Sequence, residues 1–281
     1  MRQVLRSSNK KTAHLQGKSI VTLFYENSTR TRMSFELASK YMSAAAANIS
    51  ASASSVAKGE TLIDTGVTLD QMGTDVIIIR HPMSGAPALL AKHVRSSIIN
   101  AGDGANQHPS QTLLDLYSIL QTQGTLEGLT INMVGDLKYG RTTHSLLQAM
   151  SHFNPKFVFT APKELEMPQE YKDFLDSKGI EYIETTSLDD YLNDCDILYM
   201  TRVQRERFFN EQDYLRLKDS YILDLAKLET AKEDLTIMHP LPRVNEISTA
   251  VDDDPRAVYF EQVLNGKYIR MALILKLLEV K

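Results

Sequence analysis

The segment Ser19-Ile-Val-Thr-Leu-Phe-Tyr-Glu-Asn-Ser-Thr-Arg-Thr-Arg-Met33 runs from β-branched and aromatic residues through a polar turn into a stretch with helical spacing. Residues Ser19–Tyr25 predict a buried strand, and Arg32–Met42 predict the helix that follows it. A strand that leads directly into a helix is typical of parallel sheets with helical crossovers. This segment therefore predicts an α/β fold.

The same alternation continues along the rest of the chain. Seven further strands are predicted at Asp75–Arg80, Ser97–Asn100, Thr130–Val134, Lys156–Thr160, Glu181–Glu184, Ile197–Met200 and Thr236–His239. Helical spacing between and after them predicts helices at Glu60–Met72, Ser110–Gln123, Thr142–Phe153, Gln169–Ser177 and Gln262–Val280. The stretch Ala44–Ser55 is a low-complexity tract rich in Ala and Ser, and no strand or helix is assigned to it. The pattern indicates parallel strands joined by helices.

A boundary is predicted near Gln123-Gly124-Thr125, where a long helix ends on glycine just before a new strand. It divides the chain into two units of similar size, residues 1–123 and 124–258, each expected to be a doubly wound parallel-sheet domain. The remaining residues, 259–281, form a helical segment that could pack back on the first unit.

Composition restricts the classes of partner. The chain has 281 residues and a net charge of -4, which gives no reason to expect nucleic acid or an anionic membrane. The chain has one cysteine, Cys195, so it can form no internal disulfide, which fits a reducing compartment. We expect Cys195 to be a small buried residue rather than a nucleophile. No apolar stretch has the length of a membrane span, and the first residues lack the apolar run of a secretory signal. We therefore expect a cytoplasmic protein.

Polar side chains follow several predicted strands at the point where each strand ends. Residues Ser28–Arg32, the pair Arg80-His81, Arg202 and the pair Leu241-Pro242 each stand at such a position. In open parallel sheets, ligands bind at the carboxyl ends of the strands. The pattern therefore predicts one converging site.

The turn after the first strand has the features of a phosphate site. Free N–H groups at a helix start, the helix dipole and the hydroxyls of Ser28, Thr29 and Thr31 suit an anion, and Arg30 can add a two-point contact. A helix N-cap with solvated arginines is the alternative for a generic Ser-Thr-Arg. The complete run through Arg32 is more specific than that short motif.

Six segments together resemble the aspartate and ornithine carbamoyltransferase family. They keep the family's order and spacing from about residue 17 to the C-terminus, and they are closest to its aspartate branch. They are Phe24–Arg32, Arg80-His-Pro82, Asn100-Ala-Gly-Asp-Gly-Ala-Asn-Gln-His-Pro-Ser-Gln111, Val134-Gly-Asp-Leu-Lys-Tyr-Gly-Arg141, Tyr199-Met-Thr-Arg-Val-Gln-Arg-Glu-Arg207 and His239-Pro-Leu-Pro-Arg243.

The resemblance implies transfer of a carbamoyl group from carbamoyl phosphate to the amino group of L-aspartate, an early step of pyrimidine biosynthesis. The implied carbamoyl phosphate site consists of Ser28, Thr29, Arg30, Thr31, Arg80, His108, Gln111 and the backbone carbonyls of Leu241 and Pro242. Arg80 and His108 would act on the oxygen that becomes negative as the amine attacks, and Thr31 is also assigned to catalysis. A lone histidine is more often a satisfied core or loop residue, but the surrounding motif favours a catalytic role. Because phosphate is a good leaving group, no metal, cofactor or covalent nucleophile is expected.

The second substrate carries two carboxylates, which calls for cationic groups. By resemblance, Arg141, Arg202 and Gln204 would bind them, since the planar fork of arginine grips a carboxylate at two points. Taken alone, Arg205 and Arg207 are better explained as solvated or structural. The glycines of the segment before Arg141 do not form G-x-G-x-x-G, so dinucleotide binding is disfavoured.

Residues Ser50–Gly59 are small and polar, and composition alone indicates a surface loop. In the family this segment crosses to a neighbouring subunit, where positions matching Ser54 and Lys58 complete the active site. Lys58 is thereby also assigned to catalysis and to aspartate. The resemblance thus implies a homotrimer with shared sites and leaves room for regulatory chains.

Within that resemblance, residues 1–123 become the carbamoyl phosphate domain, 124–258 the aspartate domain and 259–281 the returning helix. Only Met1–Gly17 precede the first strand, less than is usual in the family, so we expect an effect on stability and domain coupling. Two alternatives stay open: ornithine carbamoyltransferase, disfavoured by Leu241 and by Arg202-Val-Gln204, and a catalytically dead relative that acts as an assembly partner.

Overall fold

The computed structural model of the chain describes residues 10–50, 59–204, 210–217 and 220–280. Contacts between residues divide it into two compact units. Unit 1 contains Met1–Leu114 and Val263–Lys281, and unit 2 contains Asp115–Gln262. Each unit holds one sheet whose described strands are all parallel. The prediction of two parallel-sheet α/β units is confirmed.

The sheet of unit 1 has four strands in the order β2-β1-β3-β4. They are β1 (Ser19–Phe24), β2 (Ala45–Ser50), β3 (Val76–His81) and β4 (Ser97–Asp103). The chain moves outward from β1 to β2 on one side, then returns to lay β3 and β4 on the other. The strand order therefore reverses between β1 and β3, where an open parallel sheet forms its ligand crevice.

Strand β3 explains why this sheet is covered on both faces. Val76 and Ile78 point into a core shared with Phe35, while Ile77 and Ile79 point into a second core on the opposite face. All four β3 side chains are fully buried, and burying each contributes about 1.5–3 kcal/mol. A continuous aliphatic run is typical of a central parallel strand.

Helices supply the two covering layers. Their bounds are α1 (Thr29–Tyr41), α2 (Leu62–Gln71), α3 (Ala86–Ala91), α4 (Pro109–Gln123), α5 (Arg141–Met150), α6 (Gln169–Lys178), α7 (Glu211–Leu217), α8 (Leu225–Leu228) and α9 (Tyr259–Leu277). In unit 1, Met271 and Ile274 of α9 join the core on the Phe35 side, and Leu69 and Leu90 join the core on the other side. The short 3₁₀ helices of unit 2 are Lys163–Leu165, Leu188–Asp190 and Thr249–Asp253.

The sheet of unit 2 has five strands in the order β7-β6-β5-β8-β9. They are β5 (Thr130–Val134), β6 (Lys156–Thr160), β7 (Tyr182–Thr185), β8 (Ile197–Met200) and β9 (Thr236–Met238). The order reverses between β5 and β8, where Val134 lies beside Met200 at the last paired position. The second ligand crevice is therefore expected at the carboxyl ends of these two strands.

Each of the eight predicted strands is observed, three of them with identical bounds, but one strand was missed. β2 lies in the Ala-rich stretch to which no strand or helix was assigned. Among the described strands it pairs with β1 alone, at the edge of the sheet, and its side chains are mostly small and are exposed or half-buried. It therefore lacks the alternation of apolar and polar residues by which strands are recognised. Its backbone hydrogen bonds define it instead.

Within the described part of the chain, none of the helices combines the length and apolar character needed to cross a membrane.

Candidate active site

The loop after β1 leads into the amino end of α1. Ser28 is the N-cap residue, with extended backbone angles, and its hydroxyl makes no capping bond to the helix. Thr29, Arg30 and Thr31 form the first turn, which contains no acidic residue. Because α1 is 13 residues long, its dipole and first-turn N–H groups favour an anion at this end. The four residues predicted to hold phosphate thus share one helix start.

Arg80 joins this helix start from the neighbouring strand. It stands beside Phe24 in the register of β1 and β3, and its carbonyl oxygen accepts from the Tyr25 N–H at 2.9 Å. Its guanidinium donates through Nη1 to Ser28 Oγ at 3.4 Å and through Nε to Glu26 Oε2 at 3.1 Å. Arg80 and Ser28, predicted to act together, are therefore in contact.

Glu26 is a site residue that the sequence analysis missed. Its carboxylate pairs with Arg80, and both side chains are largely buried. Glu26 thus contacts the guanidinium at Nε, while Ser28 contacts it at Nη1. In the sequence, Glu26 follows the end of β1 and Arg80 lies near the end of β3. These positions indicate an ion pair only when β1 and β3 are known to be neighbours.

His81 follows Arg80 and is buried against Tyr25, with ring centroids 4.5 Å apart. Its Nδ1 accepts from the Met83 N–H at 3.0 Å. Burial lowers the pKa of His81 below its ordinary value, which favours a neutral ring. The positive charge at the end of β3 therefore belongs to Arg80.

His108 and Gln111 lie at the start of α4, and both are buried. The His108 carbonyl accepts from the N–H of Gln111 at 2.9 Å, which closes the first helical turn. His108 Nδ1 lies 3.5 Å from the hydroxyl oxygen of Ser110. The ring is therefore contacted at Nδ1 by a residue of its own helix start.

Asp103, also missed by the sequence analysis, organises the loop before His108. Its Oδ1 accepts from Asn100 Nδ2 at 2.9 Å and from the Gln107 N–H at 3.2 Å. Its Oδ2 accepts from Asn106 Nδ2 at 2.9 Å and from the Gly85 N–H at 2.8 Å. The buried Asp103 carboxylate thus holds the loop that leads into His108 through four hydrogen bonds.

In unit 2, the ends of β5 and β8 are joined by Thr201. Its hydroxyl donates to the Val134 carbonyl at 2.8 Å and accepts from the Asp136 N–H at 3.1 Å. Gly135, between those two residues, has a φ of +112°. A Cβ atom there would lie 2.3 Å from the Thr201 carbonyl oxygen, so only glycine fits.

The predicted amine-substrate residues follow these two strand ends. Arg202 comes directly after Thr201, and Arg141 is the first residue of α5. Gln204 Nε2 donates to Asp136 Oδ2 at 3.4 Å and to the Tyr139 carbonyl at 3.3 Å. Asp136 is fully buried and also accepts from the Tyr139 N–H at 3.0 Å. It therefore orients Gln204, a role that the sequence analysis did not assign.

Leu241 and Pro242 form the turn after β9. They are joined by a cis peptide bond, and Leu241 has a φ of +55°. The Leu241 N–H donates to His239 Nδ1 at 2.7 Å.

The predicted residues Ser54 and Lys58, and with them Arg205 and Arg207, lie outside the described residues. Among the residues that are described, no group of three or more His, Cys, Asp or Glu side chains is arranged to hold a metal ion. Cys195 is buried, and burial raises the pKa of its thiol to about 12.

Two family descriptions match consecutive parts of the chain. The carbamoyl-P binding domain of the aspartate/ornithine carbamoyltransferases matches residues 1–121. The Asp/Orn binding domain of the same family matches residues 127–277.

Individual relatives agree with these matches. The aspartate carbamoyltransferase catalytic subunit of Finegoldia magna is 52% identical over 281 residues, which covers 99% of this chain and 92% of the relative. The catalytic subunit of M. jannaschii aspartate transcarbamoylase superposes with a TM-score of 0.90 at 46% identity, covering 99% of this chain and 91% of that one. Aspartate transcarbamoylase from Trypanosoma cruzi, solved with carbamoyl phosphate and aspartate, superposes with a TM-score of 0.90 at 38% identity, covering 97% and 89%.

The close approach at Gly135 yields a stability prediction. Gly135→Ala should lower the free energy of unfolding by roughly 1–3 kcal/mol more than Gly128→Ala, because its Cβ would overlap the Thr201 carbonyl. Gly128 is the matched control, since its φ is also positive, at +70°, but nothing lies within 4 Å of an added Cβ. Urea unfolding of both variants measures the difference. Equal losses would mean that the β5–β8 contact does not require glycine.

Proposed function

This chain belongs to the aspartate/ornithine carbamoyltransferase family, and on that premise we propose how its residues carry out its reaction. The chain transfers the carbamoyl group of carbamoyl phosphate to the amino group of L-aspartate, giving N-carbamoyl-L-aspartate and phosphate. The observation that carries the choice of substrate is the 52% identity, over 99% of the chain, to an aspartate carbamoyltransferase catalytic subunit.

In the proposed site, the start of α1 binds the phosphate group of carbamoyl phosphate. The hydroxyls of Ser28, Thr29 and Thr31, the N–H groups of the first turn and the Arg30 guanidinium supply donors and positive charge. The uncapped helix start and the contact between Arg80 and Ser28 support this role. The pairing of Glu26 with Arg80 Nε holds the guanidinium beside this helix start.

The carbonyl oxygen of the substrate is assigned to Arg80, His108 and Thr31. As the amine nitrogen attacks the carbonyl carbon, negative charge develops on this oxygen, and fixed donors lower the barrier. Phosphate then leaves with the electrons of the C–O bond. The buried position of His108 supports the assignment, since a donor is most effective where water is excluded.

The amide group of carbamoyl phosphate needs hydrogen-bond acceptors. We assign it to the Gln111 side chain and to the backbone carbonyls of Leu241 and Pro242. All three offer an oxygen to the N–H donors of the amide.

The carboxylates of aspartate are assigned to Arg141, Arg202, Gln204 and Lys58. Arginine forks suit carboxylates, and an amide donor adds direction. Asp136 and the Tyr139 carbonyl accept both Nε2–H donors of Gln204, so binding a substrate carboxylate would require Gln204 to exchange one of these bonds. In keeping with these roles, residues 1–123 form the proposed carbamoyl phosphate domain, 124–258 the aspartate domain and 259–281 the returning helix.

For the assembly we propose a cytoplasmic homotrimer in the pyrimidine pathway, with Ser54 and Lys58 reaching the active site of a neighbouring subunit. The support is the family pattern at Ser50–Gly59, which is too small and polar to form a core. Regulatory chains remain compatible with this arrangement.

The function is tested by measuring ureido product from carbamoyl phosphate with aspartate and, separately, with ornithine. We expect ureido product when the amine is aspartate and none when it is ornithine. Product with ornithine would favour the other branch of the family, and no product with either amine would favour a dead assembly partner.

The role of His108 is tested in the same assay. His108→Ala should lower turnover by about 100- to 1,000-fold, the range found when an oxyanion donor is removed. Carbamoyl phosphate affinity should change much less. Turnover within twofold of the parent would remove His108 from the mechanism.

Shared active sites predict complementation between two defective variants. Lys58→Ala and Arg80→Ala should each be nearly inactive. With random equal mixing of closed trimers, about three-quarters are mixed, and each mixed trimer has one intact site in three, giving about one quarter of parental activity. The two variants are dissociated and reassembled together, with each variant treated alone as the control. Verified hybrid trimers that stay inactive would show that Lys58 does not act in a neighbouring site.

A further inference from the structure

Behind the Leu241–Pro242 turn lies a buried pair, His239 and Glu246, which the mechanism above does not use. Their side chains are only 1% and 5% exposed, and His239 Nε2 lies 2.6 Å from Glu246 Oε1. On the other side of the ring, Nδ1 lies 2.7 Å from the backbone nitrogen of Leu241. His239 therefore bridges the turn to a buried carboxylate.

The partners of His239 determine its tautomer. A backbone N–H can only donate, so the Nδ1 that faces Leu241 must be the acceptor and carries no proton. The ring proton is then on Nε2, where it is donated to Glu246. Glu246 needs to remain ionised for this pairing. Burial raises its pKa, but the hydrogen bonds that it accepts from His239 and from backbone N–H groups outweigh burial and lower the pKa overall.

Glu246 also holds the far end of the same turn. Its second oxygen, Oε2, accepts from the N–H of Val244 at 3.0 Å and of Asn245 at 3.1 Å. One carboxylate thus contacts the chain after Pro242 directly and the chain before it through His239. The Leu241–Pro242 segment is supported from both ends.

The backbone of His239 is fixed in turn by the interior of unit 2. Its N–H donates to Gln262 Oε1 at 2.9 Å, and Gln262 Nε2 donates to Asp115 Oδ1 at 2.8 Å. Asp115 Oδ2 accepts from the Tyr199 hydroxyl at 2.9 Å. These three residues are nearly or fully buried, so the chain of hydrogen bonds has few alternative arrangements.

The turn needs this support because of its backbone conformation. Leu241 has a φ of +55°, in the left-handed region that costs an ordinary residue about 1–2 kcal/mol. The bond from the Leu241 N–H to His239 Nδ1 offsets that cost and selects one direction for the peptide groups. The direction of the neighbouring carbonyls depends on the same bond.

We propose that His239 and Glu246 are positioning residues that aim the Leu241 and Pro242 carbonyls at the amide of carbamoyl phosphate. This inference rests on the proposed function, in which those carbonyls accept from that amide. The pair thereby determines specificity for a carbamoyl group over an acyl group of the same shape. Acetyl phosphate is the matched probe, since it has a methyl group in place of the amide and cannot donate to the carbonyls.

Three variants separate positioning from general support of the fold. His239→Leu removes both hydrogen bonds of the ring. His239→Asn keeps an acceptor, Oδ1, near the position of Nδ1, and it should retain the bond to Leu241. Glu246→Gln cannot accept both from His239 and from the N–H groups of the turn, so one support is lost. Tyr221→Phe is the control, because it removes a bond to the Thr186 carbonyl in the same unit, away from the turn.

The measurement is the ratio of the acetyl phosphate inhibition constant to the carbamoyl phosphate dissociation constant. In His239→Leu and Glu246→Gln this ratio should fall about two- to tenfold, the range for one hydrogen bond. The fall should come from weaker carbamoyl phosphate binding at nearly constant acetyl phosphate binding. Tyr221→Phe should stay within twofold of the parent, and His239→Asn, which keeps the bond to Leu241 but loses the bond to Glu246, should fall less than His239→Leu.

The outcomes are distinguishable from a failure of the proposed function. If the parent makes ureido product but Glu246→Gln and His239→Leu keep the parental ratio, the positioning role is wrong and the function stands. If both phosphates weaken equally in the variants, the pair supports only the fold, and the proposal is overturned. A parent that makes no product would overturn the function and this inference with it. If His239→Leu does not fold, the ratio in Glu246→Gln is compared with the ratio in Tyr221→Phe. A parental ratio in both variants would then overturn the positioning role.

Discussion

The reversal of strand order in each sheet determines where ligand groups can collect in this protein. Strands β1 and β3 in unit 1, and β5 and β8 in unit 2, are neighbours whose connections leave toward opposite edges of the sheet. The carboxyl ends of such a pair open a crevice that no crossover fills. The residues assigned to the phosphate group follow the first pair of strands. The arginines assigned to the aspartate carboxylates follow the second pair.

Carboxylates give these groups their direction. Glu26 pairs with Arg80, Asp136 accepts from Gln204, and Glu246 pairs with His239. A carboxylate and its partner are retained in a low-dielectric setting only when both are well hydrogen-bonded. Because such groups are already oriented before a substrate arrives, less reorganisation accompanies the reaction.

Much of this arrangement could be predicted from the sequence. Aliphatic runs and strand-end polarity indicated both sheets and the candidate site, and the family motifs assigned roles to individual residues. Strand β2 was missed because its small side chains carry no alternation. The orienting carboxylates were missed because pairs such as Glu26 with Arg80, 54 residues apart, exist only once strand neighbours are known. Ser54 and Lys58 lie outside the described residues, and their roles stay predictions.

The central claim is that unit 1 binds the phosphate group of carbamoyl phosphate and that Arg141, Arg202 and Gln204 of unit 2 bind the carboxylates of aspartate. The most direct measurement is the pair of constants, carbamoyl phosphate dissociation and aspartate KM, in Arg30→Ala and Arg202→Ala. The account predicts that Arg30→Ala weakens carbamoyl phosphate binding in the absence of aspartate, whereas Arg202→Ala leaves that binding near the parental value and raises the aspartate KM. If Arg202→Ala weakened carbamoyl phosphate binding as much as Arg30→Ala does, the division of recognition between the two units would be contradicted.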